Sequence, residues 1–325
     1  MGEMKIDVIL VGLGSIGFEY DLNLEPDKYV FTHARAFSLH ESFQLVCAVD
    51  PDVDRRNLFY KKYQLPVYSS LSQAYEYHKP QLVVIAAPTH LHKELVDQTL
   101  ATYQPRAILC EKPLSGCVEE ATAIISNCLQ RGVKLFVNYI RRCDPGVIEV
   151  RRRIVNNELV IPVKGIVWYS KGIIHNGSHF LNLLEYWLGP LQSVSVLSKG
   201  RLWANRDPEP DISLGFGAGS VVMQSTWEEA FSHHTVELMS TSGRLRYEYK
   251  GQSIHWQASS PDPLLPQYRV IDQHPEIINV DMNRYQLNVA NHLELALIGK
   301  PSSICSGLEA LMTLQSISKI IETLA

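Results

Sequence analysis

The sequence predicts an α/β doubly wound parallel sheet over residues 1–140, followed by an α+β domain over 141–325 built on a mostly antiparallel open sheet. Three observations carry this. Apolar strands alternate with helical stretches as far as Asn138, and a glycine fingerprint lies directly behind the first strand. Beyond it the chain turns to short β-rich runs separated by Gly, Asn and Ser.

The first strand, Lys5–Val11, runs into Gly12-Leu13-Gly14-Ser15-Ile16-Gly17, a GxGxxG in the context it requires. Its first glycine permits a tight turn, the second lets backbone approach a pyrophosphate, and the third allows close helix packing, with the phosphates at a helix amino end. This is the Rossmann arrangement. The second strand, Phe43–Val49, ends at Asp50, placed to accept hydrogen bonds from both ribose hydroxyls, which favours NAD. Arg55 and Arg56 lie close enough to accommodate a 2′-phosphate, so NADP stays open. Gly17 and Asp50 stand further apart than the roughly 20 residues expected. Residues 18–32 therefore read as an insertion, a loop near the cofactor, ahead of a helix over His33–His40.

The next strand, Gln81–Ala87, has the continuous apolar character of a parallel strand buried on both faces, and leads into Pro88-Thr89-His90-Leu91-His92. His92 could contact nicotinamide or substrate; the alternative is a helix-surface histidine. Ala107-Ile108-Leu109 then runs into Cys110-Glu111-Lys112-Pro113-Leu114. A lysine at a strand's carboxyl end, beside a dinucleotide, can donate to a hydroxyl or carbonyl oxygen and stabilise negative charge there. The alternative is a solvated lysine in a turn.

In the second domain, strands are expected over Val163–Ser170, Ser193–Leu197, Asp211–Phe216, Ser220–Trp227, Thr235–Ser240 and Arg244–Tyr249. Helices are expected after His179, over Asp281–Gly299, and from Ser306-Gly307-Leu308-Glu309, a capping box. Ser259–Pro275, rich in proline and polar residues, reads as a long surface loop.

In order, VGLGSIG, CAVD, AAPTHLH and CEKPL resemble the glucose-fructose oxidoreductase, inositol dehydrogenase and rhizopine-catabolism family (Gfo/Idh/MocA). Val137–Pro145 resembles the segment leaving that family's dinucleotide domain, and Gly172–His179 its catalytic segment. The likeness covers nearly the whole chain, is densest before residue 190, and is specific for family rather than substrate. It implies an NAD(P)-dependent dehydrogenase acting on a secondary hydroxyl, or the matching ketone, of a sugar, sugar derivative or nucleotide sugar. The residues implied to hold the cofactor are Gly12, Gly14, Ser15, Ile16, Gly17, Asp50, Ala87, Pro88, Thr89, His92, Glu111 and Lys112.

The resemblance also assigns chemistry. Lys112 positions and polarises the reacting oxygen, and His179 is the general base, a role that suits an imidazole with a pKa near 6.5. The family segment reads Asp-x-Gly-x-His with Asp three residues later; here His175 and Asn182 stand in place of the acids. His175 then adjusts substrate binding or proton transfer. The alternative for His175 and His179 is a pair one helical turn apart that packs or binds metal; without HExxH or a local third ligand, no metal is expected. Two other readings stay open: a lyase or glycosidase that oxidises its substrate transiently through NAD, and a non-catalytic dinucleotide-binding regulator. Trp168, Tyr169, Trp203 and Trp227 could stack on a sugar, and Arg141, Arg142, Arg201 or Arg206 could pair with phosphate or carboxylate. In relatives the uncovered face of the second sheet is buried between subunits, which implies a homodimer or homotetramer.

Composition fits. The 325 residues are 46% hydrophobic with a formal net charge of −4, enough for two cores and ordinary in charge. Arg151-Arg152-Arg153 is short and falls in a predicted helix, so it reads as a solvated face and no nucleic acid is expected. No apolar run approaches the roughly 20 residues of a membrane helix, so no membrane partner is expected. The first five residues show no leader pattern, and the six cysteines contain no CxxC, so they read as reduced thiols of a cytoplasmic protein.

Overall fold

The longer strands of the first sheet are apolar runs, and the first five strands each lead to a helix. The structure, a computed structural model, describes residues 5–324; the leader reading for the first four residues lies outside them. In chain order come β1 (Ile6–Val11), α1 (His33–Leu39), β2 (Phe43–Val49), α2 (Val53–Tyr63), β3 (Val67–Tyr68), α3 (Leu71–Tyr77), β4 (Leu82–Ile85), α4 (His92–Thr102), β5 (Ala107–Cys110), α5 (Val118–Gln130) and β6 (Lys134–Val137). The strands lie in the order β6-β5-β4-β1-β2-β3, all parallel. The order reverses between β1 and β4, so the loops after these two strands flank the crevice where such sheets bind ligands. Val8, Ile9, Leu10, Val83, Val84, Ile108 and Leu109 are fully buried, as a sheet covered on both faces requires.

The second unit contains α6 (Pro145–Val155), β7 (Val163–Tyr169), α7 (Ser178–Leu188), β8 (Leu191–Trp203), β9 (Asp207–Phe216), β10 (Gly219–Ser225), β11 (Thr235–Ser240), β12 (Gly243–Glu248), β13 (Ser253–Pro261), β14 (Arg269–Ile271) and β15 (Glu276–Ile278). Its sheet runs β14-β13-β12-β11-β7-β10-β9-β8, with β15 on β13. Only the β7–β10 pair is parallel among the described strands. Alternation sorts its faces: Val167, Val221, Leu238 and Leu245 pack under α6 and α7, while Ile166, Trp168, Val222 and Met239 point the other way. The segment expected as one surface loop, Ser259–Pro275, holds the end of β13 and all of β14, whose residues are largely exposed.

The chain closes with α8 (Tyr285–Leu297), β16 (Cys305–Ser306) and α9 (Gly307–Leu324). Here the expected domain boundaries change. The first unit runs to Cys143 and takes back Asn283–Leu311; the second is Asp144–Met282 with the chain from Met312 onward. The return has a physical cause: Val289, Ala290, Leu293 and Leu297 bury one face of α8 in the core that holds Phe37 and Phe43. β16 also pairs antiparallel with β6, Cys305 opposite Val137. An amphipathic helix shows in sequence that a face is buried, but not against which partner. The capping box forms, with Ser306 N and Oγ each 2.8 Å from Glu309 Oε2 and Glu309 N donating back to Ser306 Oγ.

The insertion over residues 18–32 is an anchored loop. Asp21 and Arg35, 2% and 4% exposed, form a buried ion pair. Asp21 accepts from the backbone N–H groups of Phe31 and Thr32, and Arg35 donates to the carbonyls of Asp21, Leu24 and Tyr29. Further on, Val30 N donates to Asn283 O, and Phe31 stacks on Tyr285 at 5.1 Å.

Candidate active site

The loops after β1, β2, β3 and β4, together with α4, enclose a cavity of ≈ 650 Å³. Of the residues expected to hold cofactor, Gly12, Gly14, Ser15, Ile16, Asp50, Ala87 and Pro88 line it; Tyr20 from the insertion joins them, with Ser69, Ser70 and Leu95. The glycines divide the work. Gly12, at φ +96°, brings its backbone against Ala86, where a Cβ would meet the carbonyl oxygen at 2.6 Å; a Cβ on Gly17 would strike Gly12 O at 2.1 Å. Gly14 has an ordinary φ of −72°, and a Cβ there would meet no protein atom closer than Arg55 Nη1 at 3.8 Å. That open approach to the backbone is what a pyrophosphate requires of the second fingerprint glycine. The element behind the fingerprint is a five-residue π-helical turn, Ser15–Glu19, rather than the long helix of the usual motif, because the insertion intervenes before α1. Gly14→Val is expected to abolish NAD binding while leaving the melting temperature nearly unchanged. Gly12→Ala should cost about 1–3 kcal/mol of stability; calorimetry with thermal unfolding separates the two.

Asp50 is buried, its Oδ2 accepting from Leu13 N at 2.7 Å and its Oδ1 from Asp52 N at 2.8 Å. Arg56 folds back onto the carbonyls of Asp50 and Pro51, whereas Arg55 lines the cavity. His92 is buried and outside the cavity lining, one ring nitrogen 2.9 Å from Ala87 O and the other 3.2 Å from Leu114 O. It is thus neither the surface histidine of one reading nor part of that wall; it ties the loop after β4 to the loop that carries Lys112. Thr89 opens a short 3-10 turn next to it.

Glu111 and Lys112 follow β5 at the same edge of the parallel sheet as Gly12 follows β1. Glu111 Oε1 accepts from Asn138 Nδ2 at 2.6 Å and lies 2.8 Å from His33 Nε2; Gln286 closes the cluster, 3.2 Å from both partners. Burial pushes the Glu111 carboxyl up, but hydrogen bonds from His33 and Asn138 and the Lys112 charge outweigh it and hold the group below the usual carboxylate range. Glu111 is therefore a fixed anion beneath the half-buried Lys112. Sequence reading missed His33, Asn138 and Gln286, which come from three distant segments.

In the second unit the expected catalytic segment is a π-helical turn, Gly172–Gly177, leading directly into α7. His175 is exposed and its ring stacks on Trp203 at 5.4 Å; His179 is half-buried in the first turn of α7. Asp207 and Glu209, both buried on β9, hold the turn from below: Asp207 accepts from Ile174 N and His175 N at 3.0 and 2.8 Å, and Glu209 from Gly172 N at 3.2 Å. Burial pushes Asp207 up, aided by the Glu209 charge and opposed by the backbone N–H bonds. Gly172 is required at φ +75°, since a Cβ would lie 2.0 Å from Asp207 Cγ. These two acids were not singled out in the sequence; two acids at positions i and i+2 of a strand, on its buried face, were the available signal.

Asn182, at the second departure from the family acid, is buried and donates to Thr313 Oγ1 at 2.9 Å, which in turn donates to Glu185. Among the other candidates, Tyr169 is fully buried with its hydroxyl on Pro210 O, Arg142 pairs with Glu309, and Arg201 bridges Glu209 and Glu229. Trp227 is exposed. Among the described residues no group of His, Cys, Asp and Glu could hold a metal ion, and no helix is long and apolar enough to cross a membrane. Burial pushes the Cys47 and Cys128 thiols up to about 12, which leaves them unreactive.

The model of the Gfo/Idh/MocA oxidoreductase family, with its NAD-binding Rossmann fold, matches residues 6–139. Residues 6–139 thus carry the NAD-binding Rossmann unit of the Gfo/Idh/MocA family. NAD is the cofactor of its Rossmann unit. The chain is 27% identical over 242 residues to inositol 2-dehydrogenase of Rubrobacter xylanophilus, covering 74% of this chain and 63% of that protein. It is 23% identical over 241 residues to 2,7-anhydro-N-acetylneuraminate hydratase of Escherichia coli, covering 66% of this chain and again 63% of the relative. The match thus spans less than two thirds of these curated relatives. The WlbA dehydrogenase of Bordetella pertussis, crystallised with NADH and UDP-GlcNAcA, has the same fold, with a TM-score of 0.77 and 18% identity over 100% of this chain and 96% of that one.

Proposed function

We propose that the chain is an NAD-dependent dehydrogenase that oxidises a secondary hydroxyl of a sugar, sugar derivative or nucleotide sugar, or reduces the matching ketone. The observation that carries this is Lys112, whose backbone N–H donates to the half-buried anion Glu111 at the edge of the sheet that also carries the glycine fingerprint. Bound NAD supplies hydride acceptance. Lys112 donates a hydrogen bond to the substrate oxygen and stabilises charge on it, and His179 takes the hydroxyl proton. His175, stacked on Trp203, adjusts substrate binding. The similarity to inositol 2-dehydrogenase supports a polyhydroxylated substrate, and the fold shared with WlbA supports including nucleotide sugars. Change in NADH absorbance over a panel of cyclitols, sugars and nucleotide sugars tests the reading. A second reading, transient oxidation without net NADH, is favoured by the likeness to the hydratase and by His175 and Asn182 standing where the family has acids. Product formation at constant NADH would identify it, and binding without turnover would identify a regulator.

We further infer a homodimer or homotetramer formed through the uncovered sheet face bearing Ile166, Val222 and Met239. Light scattering should give two or four times the chain mass of 36.7 kDa. A monomer mass at working concentration would exclude the assembly.

A further inference from the structure

The insertion does more than lengthen the loop after the glycine fingerprint, because its second residue, Glu19, pairs with an arginine that lines the cofactor cavity. Glu19 closes the π-helical turn, and its Oε1 lies 3.3 Å from Nε of Arg55. Among the described residues lining the cavity, Arg55 alone has a cationic side chain, while Asp50 and Glu94 are acids. The neighbouring cation is committed elsewhere: Arg56 Nη1 donates to Asp50 O at 2.7 Å and to Pro51 O at 2.8 Å. Asp50 is likewise fixed by two backbone N–H groups.

We propose that Glu19 is a specificity-determining residue for the cofactor: by pairing with Arg55 it denies a 2′-phosphate its cation and favours NAD over NADP. The proposal rests on the reading that this cavity holds the adenosine end of the dinucleotide. A phosphate monoester carries nearly two negative charges at neutral pH and is best recognised by a guanidinium that can give it two parallel N–H bonds. Here the guanidinium is already neutralised by Glu19, and Asp50 adds a further negative charge at the same place. A free ribose diol, being uncharged, does not meet that penalty. Glu19 is also held in position, since the Asp21–Arg35 pair two residues further on locks the chain that carries it.

Dissociation constants of NADH and NADPH, measured by fluorescence titration of the full chain at low ionic strength, test the proposal. The wild type should prefer NADH. Glu19→Gln should raise the NADPH-to-NADH affinity ratio by about two- to fivefold, the scale of one exposed charge pair. The Glu19→Gln, Arg55→Ala double variant should lose that gain, because the freed guanidinium is what binds the phosphate. A ratio unmoved by Glu19→Gln, a gain that survives removal of Arg55, or a wild type preferring NADPH would overturn the assignment of Glu19 while leaving the cavity's role intact. Failure of the wild type to bind either nucleotide would overturn the cofactor reading itself.

Discussion

Replacing Lys112 or His179 by alanine is expected to lower turnover by roughly 100-fold to 10,000-fold while NAD still binds. The cofactor cavity explains the second half: neither residue is among its lining, so the dinucleotide keeps its glycine cradle, Asp50 and the loop after β4. Lys112 is fixed through Glu111, whose carboxylate is held by His33 and Asn138 and also accepts from Lys112 N at 3.3 Å. Its loss should be at least as severe as loss of the base if it stabilises charge on the reacting oxygen. His179 owes its placement to the turn before α7, which Asp207 and Glu209 hold by three backbone N–H groups. His175→Asp, which restores the family acid, should leave a working but altered enzyme if the exposed ring stacked on Trp203 only tunes the site. Steady-state kinetics on the three variants, with NADH titration as control, decide the matter. Near-wild-type rates for His179→Ala would transfer the role of base to His175.

How much of this was legible in the sequence depends on what each element is buried against. The parallel strands β1, β4 and β5 are covered on both faces and therefore read as continuous apolar runs, and two of the fingerprint glycines follow from a left-handed turn at Gly12 and a close backbone approach at Gly17. The second sheet is covered on one face, so its signal is alternation; it fades at the edges, where β8 and β14 are mostly exposed. That is why the sequence predicts five residues of β8 rather than thirteen, and a loop where β14 forms. The site divides in the same way. Lys112 and His179 sit in local motifs and could be proposed from the sequence, but the support of Glu111 comes from residues 33, 138 and 286, which no local pattern joins. His92 stood between two readings in the sequence; burial and two backbone carbonyls place it.

The insertion supplies the other large effect. Asp21→Ala is expected to destabilise the first unit by roughly 3–5 kcal/mol, because removing one partner of a buried ion pair leaves the other charge uncompensated. The structure says what would be lost. Asp21 accepts from Phe31 N at 2.7 Å, Thr32 N at 2.9 Å and Thr32 Oγ1 at 2.9 Å, and faces Arg35 Nε at 3.4 Å. Arg35 would keep its bonds to backbone carbonyls, but these carry no net charge to balance the guanidinium. Thr32 also caps α1, so freeing it loosens the helix whose first residue, His33, supports Glu111. Asp21→Asn should cost less, since an amide oxygen can still accept one of the N–H bonds. Against a typical total of 5–15 kcal/mol, a loss of this size should shift the denaturant midpoint strongly at nearly constant m. NAD affinity should fall as well, because Tyr20, which lines the cavity, and Glu19, which pairs with Arg55 there, are carried by this loop. A loss below about 1 kcal/mol would mean that the pair is dispensable and that the loop is held by its contacts with α8 instead.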